Sequence, residues 1–277
     1  MDVVDLDQLF SKTQELPTIP EVVQELIQSF DNDDFDVDEI AKKVGMDQVL
    51  TAKVMRLANS AKFGGNRSIA SVNEAVVRMG FNALRTLVLA SGFTSAFKAP
   101  EGFDLNQFWR DSFGVAELSR WLAGHSAAEA ETAFTCGMLS NIGRLMVHLM
   151  LPEKAQEIER VVEKGGNRAE LEQDAWGFTS DEAGAQVAKM WKFPDAIVEG
   201  IANKSDPLSG NDDQPLACLM NLASYLYRQQ QGDVSDEEII ASFPNDIAKA
   251  AGLDLSAVMD GLPESRELDS GIDALLE

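Results

Sequence analysis

The stretch TCGMLSNIGRLMVHLM, residues 135–150, decides the fold and raises the first question about the chain. Its side chains are apolar on nearly every face of a helix, which is typical of an element at the centre of a helical protein. The neutral polar pair Ser140 and Asn141 stands in the middle of it. A buried hydroxyl or amide costs free energy unless it is hydrogen-bonded. We therefore expect hydrogen-bond partners close by, or a former functional role for this position.

Signals for helix N-termini recur along the rest of the chain. In these signals Ser or Thr precedes Glu by three residues, and the two side chains satisfy free backbone amides reciprocally. They occur at Thr18/Glu21, Ser71/Glu74, Thr179/Glu182 and Ser235/Glu238, and Asp36/Glu39 is similar. Apolar residues at helical spacing follow several of them, whereas no run of alternating β-branched residues stands between hairpin turns. The sequence therefore predicts an all-α fold.

Two changes in composition divide the chain. The segment KAPEGFD at residues 98–104 separates a first helical half, residues 1–100, from a second helical half, residues 101–232. After QQQGDVSDEE the chain becomes acidic, because residues 233–277 carry twelve Asp or Glu against two basic residues. We expect this part to be a helical C-terminal extension whose last residues, SRELDSGIDALLE, form a loose tail.

The composition disfavours several classes of function. The formal charge of −23 repels phosphate backbones, so we expect no nucleic-acid partner. No apolar run is long enough to span a membrane, and the first residues, MDVVDLDQLF, lack the basic start of a secretion signal. We therefore expect a cytoplasmic protein that does not enter a membrane. Cys136 and Cys218 are expected to be ordinary core thiols in a reducing compartment.

Two motifs allow more than one interpretation. The helix, turn and helix that end near residue 58 could read DNA with Lys42, Lys43, Lys53 and Arg56 facing phosphates. Packed helices with solvated cations are the alternative, and the overall charge favours it. The segment FGGNRSIAS, residues 63–71, precedes a helix and could bind an anion there. It lacks the Gly-Lys-Ser/Thr ending of a phosphate-binding loop, so an ordinary connection is favoured.

The histidines and the aromatic residues of the second half are expected to be structural. His148 lies on the apolar segment and is interpreted as a satisfied core histidine. His125 follows Gly124 at a helix end, where a partly charged imidazole interacts favourably with the helix dipole. Two histidines in the whole chain also argue against a metal site that needs several imidazoles. The aromatic residues with helical spacing, expected in the core, are Phe108, Trp109, Phe113 and Trp121.

Several segments together resemble one known family, the HDOD domain. They are LPTIPEVVQEL, LTAKVMRLANSA, FWRDSFGVA, AFTCGMLSNIGRLMV and WGFTSDEAGAQVAKMWKFPDAIVEGI, in this order. The resemblance runs from about residue 10 to residue 230. The HDOD domain is a divergent, all-helical relative of the HD-type metal phosphohydrolases. The resemblance therefore implies a multi-helix HD-like bundle preceded by an N-terminal helical subdomain.

The resemblance also implies where an HD-type site would lie. In those enzymes, histidines and a His-Asp doublet hold one or two divalent ions, which activate water for attack on a phosphoester. The doublet corresponds to Ser140 and Asn141, and a downstream His-His pair corresponds to Lys204 and Ser205. The remaining ligand positions correspond to Asp111, Ser180 and Ser224.

These substitutions imply that the metal site is lost. Neutral amides and hydroxyls are much weaker ligands for divalent ions than carboxylates and neutral imidazoles. Among the matched positions only Asp111 supplies a carboxylate, and Lys204 adds positive charge where a cation would bind. The resemblance thus implies no catalytic residue, no metal and no cofactor. Ser140 and Asn141 are then expected to hydrogen-bond neighbouring helices.

The resemblance implies a non-enzymatic module of bacterial signal transduction that contacts other signalling proteins. The acidic surface suits electrostatic steering towards a basic partner. Two alternatives stay open. One is a metal-dependent phosphohydrolase with an atypical site. The other is a sensor that binds a small ligand, such as a nucleotide, in the vestigial pocket through Asn141, Ser180 and Lys204.

Overall fold

A computed structural model of the protein describes residues 6–12, 17–30, 36–59, 68–209, 214–232, 234–263 and 276. These residues form α-helices joined by short connections, and no β-strand occurs among them, so the all-α prediction is confirmed. No helix within these ranges is both long enough and apolar enough to cross a membrane. The helices are α1 (Leu6–Lys12), α2 (Glu21–Gln28), α3 (Val37–Met46), α4 (Gln48–Ala58), α5 (Val72–Met79), α6 (Phe81–Ala96), α7 (Leu105–Ala123), α8 (Ala130–Leu139), α9 (Ile142–Met150), α10 (Pro152–Val162), α11 (Arg168–Trp176), α12 (Ser180–Met190), α13 (Asp195–Ala202), α14 (Pro215–Gln231), α15 (Asp236–Ala241), α16 (Asn245–Ala250) and α17 (Leu255–Asp260).

Most of the expected helix starts are confirmed. Thr179 and Ser235 each form the reciprocal arrangement with the Glu three residues later, at the starts of α12 and α15. Ser71 and Asp36 accept hydrogen bonds from the first-turn amides of α5 and α3. The prediction at Thr18 is wrong, because α2 begins directly after Pro20 and no side chain caps it. A proline already fixes the backbone angle that a helix entry needs.

The helix-turn-helix candidate is a pair of packed helices in the first half. Asp47 ends α3 and caps α4, since its side chain accepts hydrogen bonds from two amides of α4. Lys43 Nζ lies 2.7 Å from Glu25 Oε1 on α2, and Lys53 Nζ lies 3.5 Å from Thr94 Oγ1 on α6. These contacts bind two of the candidate DNA-facing cations to neighbouring helices, although both side chains stay partly exposed. The absence of a nucleic-acid partner stays a prediction, and most of the Gly64–Gly65 segment lies outside the described residues.

The largest apolar cluster extends from Phe10 to Met220 and includes residues of both halves. Aromatic rings join the halves: Phe93 on α6 stacks on Trp191 with ring centres 5.3 Å apart, and Phe97 meets the same ring edge-on. Such pairs contribute about 0.5–1.5 kcal/mol each beyond the area that they bury. The loop between α6 and α7 lies at the expected boundary near residue 100, and the division into domains itself stays a prediction.

The segment at residues 135–150 is two helices and not one. Helix α8 ends at Leu139, Ser140 and Asn141 form the turn, and α9 begins at Ile142. Close packing fixes this turn, because a Cβ on Gly143 would lie 1.7 Å from the Ser180 backbone oxygen of α12. Only glycine permits such an approach. The polar pair therefore occupies a junction where α8, α9 and α12 meet.

The acidic extension packs against the second half through a separate apolar cluster. Ile239, Phe243 and Val258 are buried there against residues of α7, α8 and α14. Asp254 donates its backbone N–H to the His125 carbonyl at 3.1 Å, which ties the extension to the end of α7. Residues 234–263 thus contain α15, α16 and α17, while the extension as a separate unit stays a prediction. The expected loose tail lies outside the described residues apart from Leu276.

Candidate functional site

The side chain of Lys204 is the centre of the candidate site. Lys204 follows the end of α13, is 9% exposed, and points towards the turn between α8 and α9. Its Nζ donates to the Ser140 backbone oxygen at 2.7 Å and to Asn141 Oδ1 at 3.1 Å. A third oxygen, Asp181 Oδ1, lies 2.9 Å away. An ammonium group has three N–H donors and no acceptor, so these three oxygens account for all of them.

Asp181 completes the site, and the sequence reasoning missed it. It lies in the first turn of α12 and is 7% exposed, where the helix dipole favours a carboxylate. One of its oxygens faces Lys204, and the other accepts hydrogen bonds from the backbone N–H and the hydroxyl of Ser205. A single carboxylate therefore binds both residues of the position where the resemblance places a His-His pair.

Helix α14 joins the site through the backbone of Lys204. Asn221 Nδ2 donates to the Lys204 carbonyl at 2.9 Å. The network of Lys204, Asp181 and Asn221 consequently connects the α8–α9 turn with α12, the end of α13 and α14. These elements are distant in sequence, since the bond from Lys204 to Ser140 spans 64 residues.

Ser140 and Asn141 find their hydrogen-bond partners in two different ways. The Asn141 side chain bonds Lys204, as expected for a contact with a neighbouring element. The Ser140 hydroxyl donates instead to the Gly137 carbonyl of its own helix at 2.7 Å. The expected bond from this hydroxyl to a neighbouring helix is wrong, because a serine at a helix end reaches the carbonyl three residues earlier without any rearrangement. The long-range contact of Ser140 uses its backbone oxygen.

The other positions derived from the resemblance have different contacts. Asp111 on α7 accepts hydrogen bonds from Gln107 at 2.8 Å and from the Tyr227 hydroxyl of α14 at 2.9 Å. The backbone N–H of Ser180 donates to Glu172 on α11. The Ser224 hydroxyl is buried and has no hydrogen-bond partner among the described residues. Hydrogen bonds thus link Ser140, Asn141, Lys204 and Ser205, whereas those of Asp111 and Ser180 lead elsewhere.

The residues of this site do not fit a divalent metal ion. The oxygens around Lys204 Nζ comprise one carboxylate, one amide and one backbone carbonyl, which are fewer than a Ca²⁺ site needs. Mg²⁺ binds through carboxylates and retained waters, and the ammonium leaves no space for these waters among the three oxygens. A transition metal would prefer imidazole or thiolate ligands. Within the described ranges no group of three or more His, Cys, Asp or Glu side chains is placed to hold a metal. The ammonium itself stands at the position that a metal ion would need.

A second polar cluster lies beside the first, between α9, α10 and α11. Glu159 accepts from Arg168 Nη2 at 2.6 Å and from Arg144 Nε at 3.1 Å. His148 is buried, its Nδ1 lies 2.8 Å from the Arg144 carbonyl, and its Nε2 lies 3.7 Å from Glu159. These side chains and Glu172 line a narrow crevice that has no room for a water molecule. The interpretation of His148 as a satisfied core histidine is confirmed.

Burial and neighbouring charges shift three pKa values in this cluster. Burial lowers the pKa of His148 below its ordinary 6.5, so the ring is neutral at pH 7. Burial also acts to raise the pKa of Glu159, but the hydrogen bond from Arg168 and the charge of Arg144 outweigh it and lower the value. Burial raises the pKa of Glu172 against the opposing bond from Ser180. The cluster is thus an ion network that also contacts α12 through the Ser180 backbone.

Comparisons with known proteins identify relatives along most of the chain. The family model described as the HDOD domain matches residues 16–207. A solved structure from Shewanella amazonensis SB2B, provisionally named a phosphohydrolase, is 33% identical, with a TM-score of 0.81 and coverage of 97% of this chain and 96% of that one. A structure from Marinobacter aquaeolei VT8, provisionally named a signal transduction protein, is 22% identical, with a TM-score of 0.74 and coverage of 100% and 60%. A curated Treponema pallidum protein without a described function is 23% identical over 232 residues, and the match spans 82% of this chain but 45% of that protein.

Proposed function

The chain belongs to the HDOD family, and from this premise we propose that it is a signalling module that works through protein–protein contacts and not by phosphoester hydrolysis. The observation that carries the proposal is the position of Lys204. Its ammonium is bonded to the doublet position, Ser140 and Asn141, and paired with Asp181. An HD-type reaction needs a divalent ion at such a position to activate water, and a buried positive charge repels that ion.

Displacing Lys204 to admit a metal ion is unfavourable. The ammonium would have to leave a carboxylate and two further oxygens, and Asp181 would lose a partner that lies 2.9 Å away. Removing one partner of a buried ion pair lowers the stability of a protein by about 3–5 kcal/mol. The relative from Shewanella amazonensis carries a phosphohydrolase name, which makes hydrolysis the alternative that an experiment must address.

Hydrolysis is tested by incubating the purified protein with phosphomonoesters, phosphodiesters and nucleotides in the presence of Mn²⁺, Fe²⁺, Mg²⁺ or Zn²⁺. We expect no metal-dependent turnover. Turnover that is abolished by Asn141→Ala and retained in Asn73→Ala would contradict the proposal. Asn73 is a suitable control because it is exposed on α5, far along the chain from the Lys204 site.

The charge of the protein indicates what kind of partner it contacts. The formal charge is −23, and Asp236, Glu237 and Asp246 are exposed on α15 and α16 while Ile239 and Ala248 of the same helices are buried. Complementary charge raises association rates and selects against partners of the same sign. A protein with a basic contact surface is therefore the partner that we propose. The name of the Marinobacter relative agrees with a role in signalling.

The partner is sought by affinity capture from a bacterial lysate with two baits, the full chain and a variant carrying Asp236→Lys, Glu237→Lys and Asp246→Lys. We expect a basic protein that the full chain retains at low salt and releases at high salt, and that the variant does not retain. Equal retention of every captured protein by both baits would argue against the acidic face as the contact surface. Glu238 is left unchanged because it caps α15.

The sensor hypothesis has no support from the geometry of this site. Lys204 uses its three N–H groups within the protein, so a ligand would have to break these bonds.

A further inference from the structure

We propose that the Lys204 ammonium is a tethered cation in an oxygen cage built to bind one, and that the cage will bind a free alkylammonium ion when the lysine side chain is shortened. The cage consists of Asp181 Oδ1, Asn141 Oδ1 and the Ser140 backbone oxygen. The proposal shares the Lys204 contacts with the proposed function but depends neither on a protein partner nor on the loss of hydrolysis.

Two of the three cage oxygens, those of Asp181 and Ser140, are held in place by contacts that do not involve the Lys204 side chain. Asp181 is fixed by the two hydrogen bonds from Ser205. The Ser140 oxygen lies at the α8–α9 turn, whose position is set by the close packing of Gly143 on α12. Removing the lysine side chain therefore leaves these acceptors near their present positions, and this makes the cage a site and not a consequence of the lysine.

The backbone beneath the lysine is also fixed independently. The Lys204 carbonyl accepts from Asn221 Nδ2 at 2.9 Å, and its N–H points to the Ile201 carbonyl at 3.5 Å. A shortened side chain at this position thus leaves a narrow channel from the backbone to the cage. In Lys204→Ala the missing atoms are three methylene carbons and a nitrogen, which is the composition of n-propylammonium.

The charge of the cage selects a monovalent ammonium over a divalent metal. One carboxylate balances one positive charge, whereas a divalent ion would leave a net charge buried beside Asp181. The cage also presents acceptors at 2.7, 2.9 and 3.1 Å from Nζ, which is the range of N–H···O hydrogen bonds and longer than metal–oxygen distances. A cation with three N–H donors is the matching ligand.

The experiment measures the melting temperature of the full chain, Lys204→Ala and Lys204→Met with increasing n-propylammonium chloride. Both variants should melt on the order of 10 °C below the natural sequence without the amine. Propylammonium should raise the melting temperature of Lys204→Ala in a saturable manner and recover roughly half or more of the decrease caused by the substitution. The natural sequence and Lys204→Met should not respond, because a side chain already fills the channel. Sodium chloride at equal ionic strength, 1-propanol and tetramethylammonium should have no such effect, since each lacks a charged N–H donor.

Several results would overturn the proposal. One is an equal response of Lys204→Ala to 1-propanol, which would mean that only the channel volume counts. Another is an amine response that persists in Asp181→Asn/Lys204→Ala, because the cage has then lost its charge. If Lys204→Ala does not fold alone, refolding with propylammonium but not with propanol supports the proposal, and refolding with neither contradicts it. These measurements involve neither an enzymatic activity nor a partner protein. The proposal about the cage can therefore be refuted while the proposed function holds, and the proposed function can be refuted while the cage binds the amine.

Discussion

The substitution Asp181→Asn tests whether the Lys204 site stabilises the fold. It keeps the shape of the side chain but removes the carboxylate 2.9 Å from Lys204 Nζ, in a pair whose side chains are 11% and 8% exposed. Removing one partner of a buried ion pair costs about 3–5 kcal/mol. Lys204 keeps Ser140 and Asn141 as acceptors, so we expect the lower end, about 3 kcal/mol. For a chain of this size that corresponds to roughly 6–12 °C in melting temperature.

The assay is urea unfolding followed by circular dichroism, with a matched control and a double variant. Asp195→Asn is the control, because Asp195 also lies in the first turn of a helix but is exposed. It should lose only the dipole contribution of about 0.3–1 kcal/mol. Asp181→Asn combined with Lys204→Met should lose clearly less than the sum of the single changes, with a coupling of about 2 kcal/mol. Additive losses, or a cost at Asp181 no larger than at Asp195, would refute the reasoning.

Three further predictions concern packing, pH and reactivity. Gly143→Ala should unfold the protein or lower its melting temperature strongly, because the new Cβ would lie 1.7 Å from a backbone oxygen. The control is Gly45→Ala in the same thermal scan. Because the space around Gly45 is open, this change should stabilise the protein by about 0.5–1 kcal/mol. The pKa of His148 is lowered in the folded state, so the unfolded chain takes up a proton first and stability falls as the pH drops below 6.5. His148→Gln should flatten that decline in urea titrations below pH 6.5, and an unchanged slope would contradict it. Burial raises the pKa of Cys136 to about 12, so its thiol should react with a disulfide reagent only after denaturant is added, and fast labelling of the native protein would disprove this.

Local features of the fold could be predicted from the sequence. The capping arrangements at Thr179 and Ser235 involve side chains three residues apart, and such contacts are encoded in a few consecutive residues. The failure at Thr18 is also local, because Pro20 occupies the N-cap position directly before Glu21 and Thr18 therefore lies too early to cap the helix. Residues 135–150 were harder to interpret, because hydrophobicity alone does not show where one apolar helix ends and the next begins.

The candidate site could be predicted only in part. The resemblance pointed to Ser140, Asn141 and Lys204, and the structure joins them by hydrogen bonds. Asp181 could not be predicted as part of the site, because it is one of 46 acidic residues and no short sequence motif distinguishes it. The available signal was its position directly after Ser180, at the start of a helix. A buried lysine needs a counterion, and a search for one near each matched position would have found it.

The other features of the candidate site that could not be predicted are contacts between segments that are distant in sequence. Asp111 was matched to a metal-ligand position, but it bonds Tyr227, which lies 116 residues later. The ring of Tyr227 approaches α7 closely, because a Cβ on Gly114 would lie 2.1 Å from it. Such a pairing depends on how α7 and α14 pack, which residue type and spacing do not reveal. The same holds for the Asn221 bond to Lys204.

The most direct test of the central claim is a crystal structure of the protein soaked in manganese chloride, with anomalous data collected at the manganese edge. The claim is that Lys204 is the cation at the Ser140–Asn141 position. We predict density for the Lys204 ammonium within hydrogen-bond distance of Asn141 and Asp181, and no anomalous peak between them. A manganese peak coordinated by these two side chains, with Lys204 turned away, would contradict the claim and restore hydrolysis as the leading function.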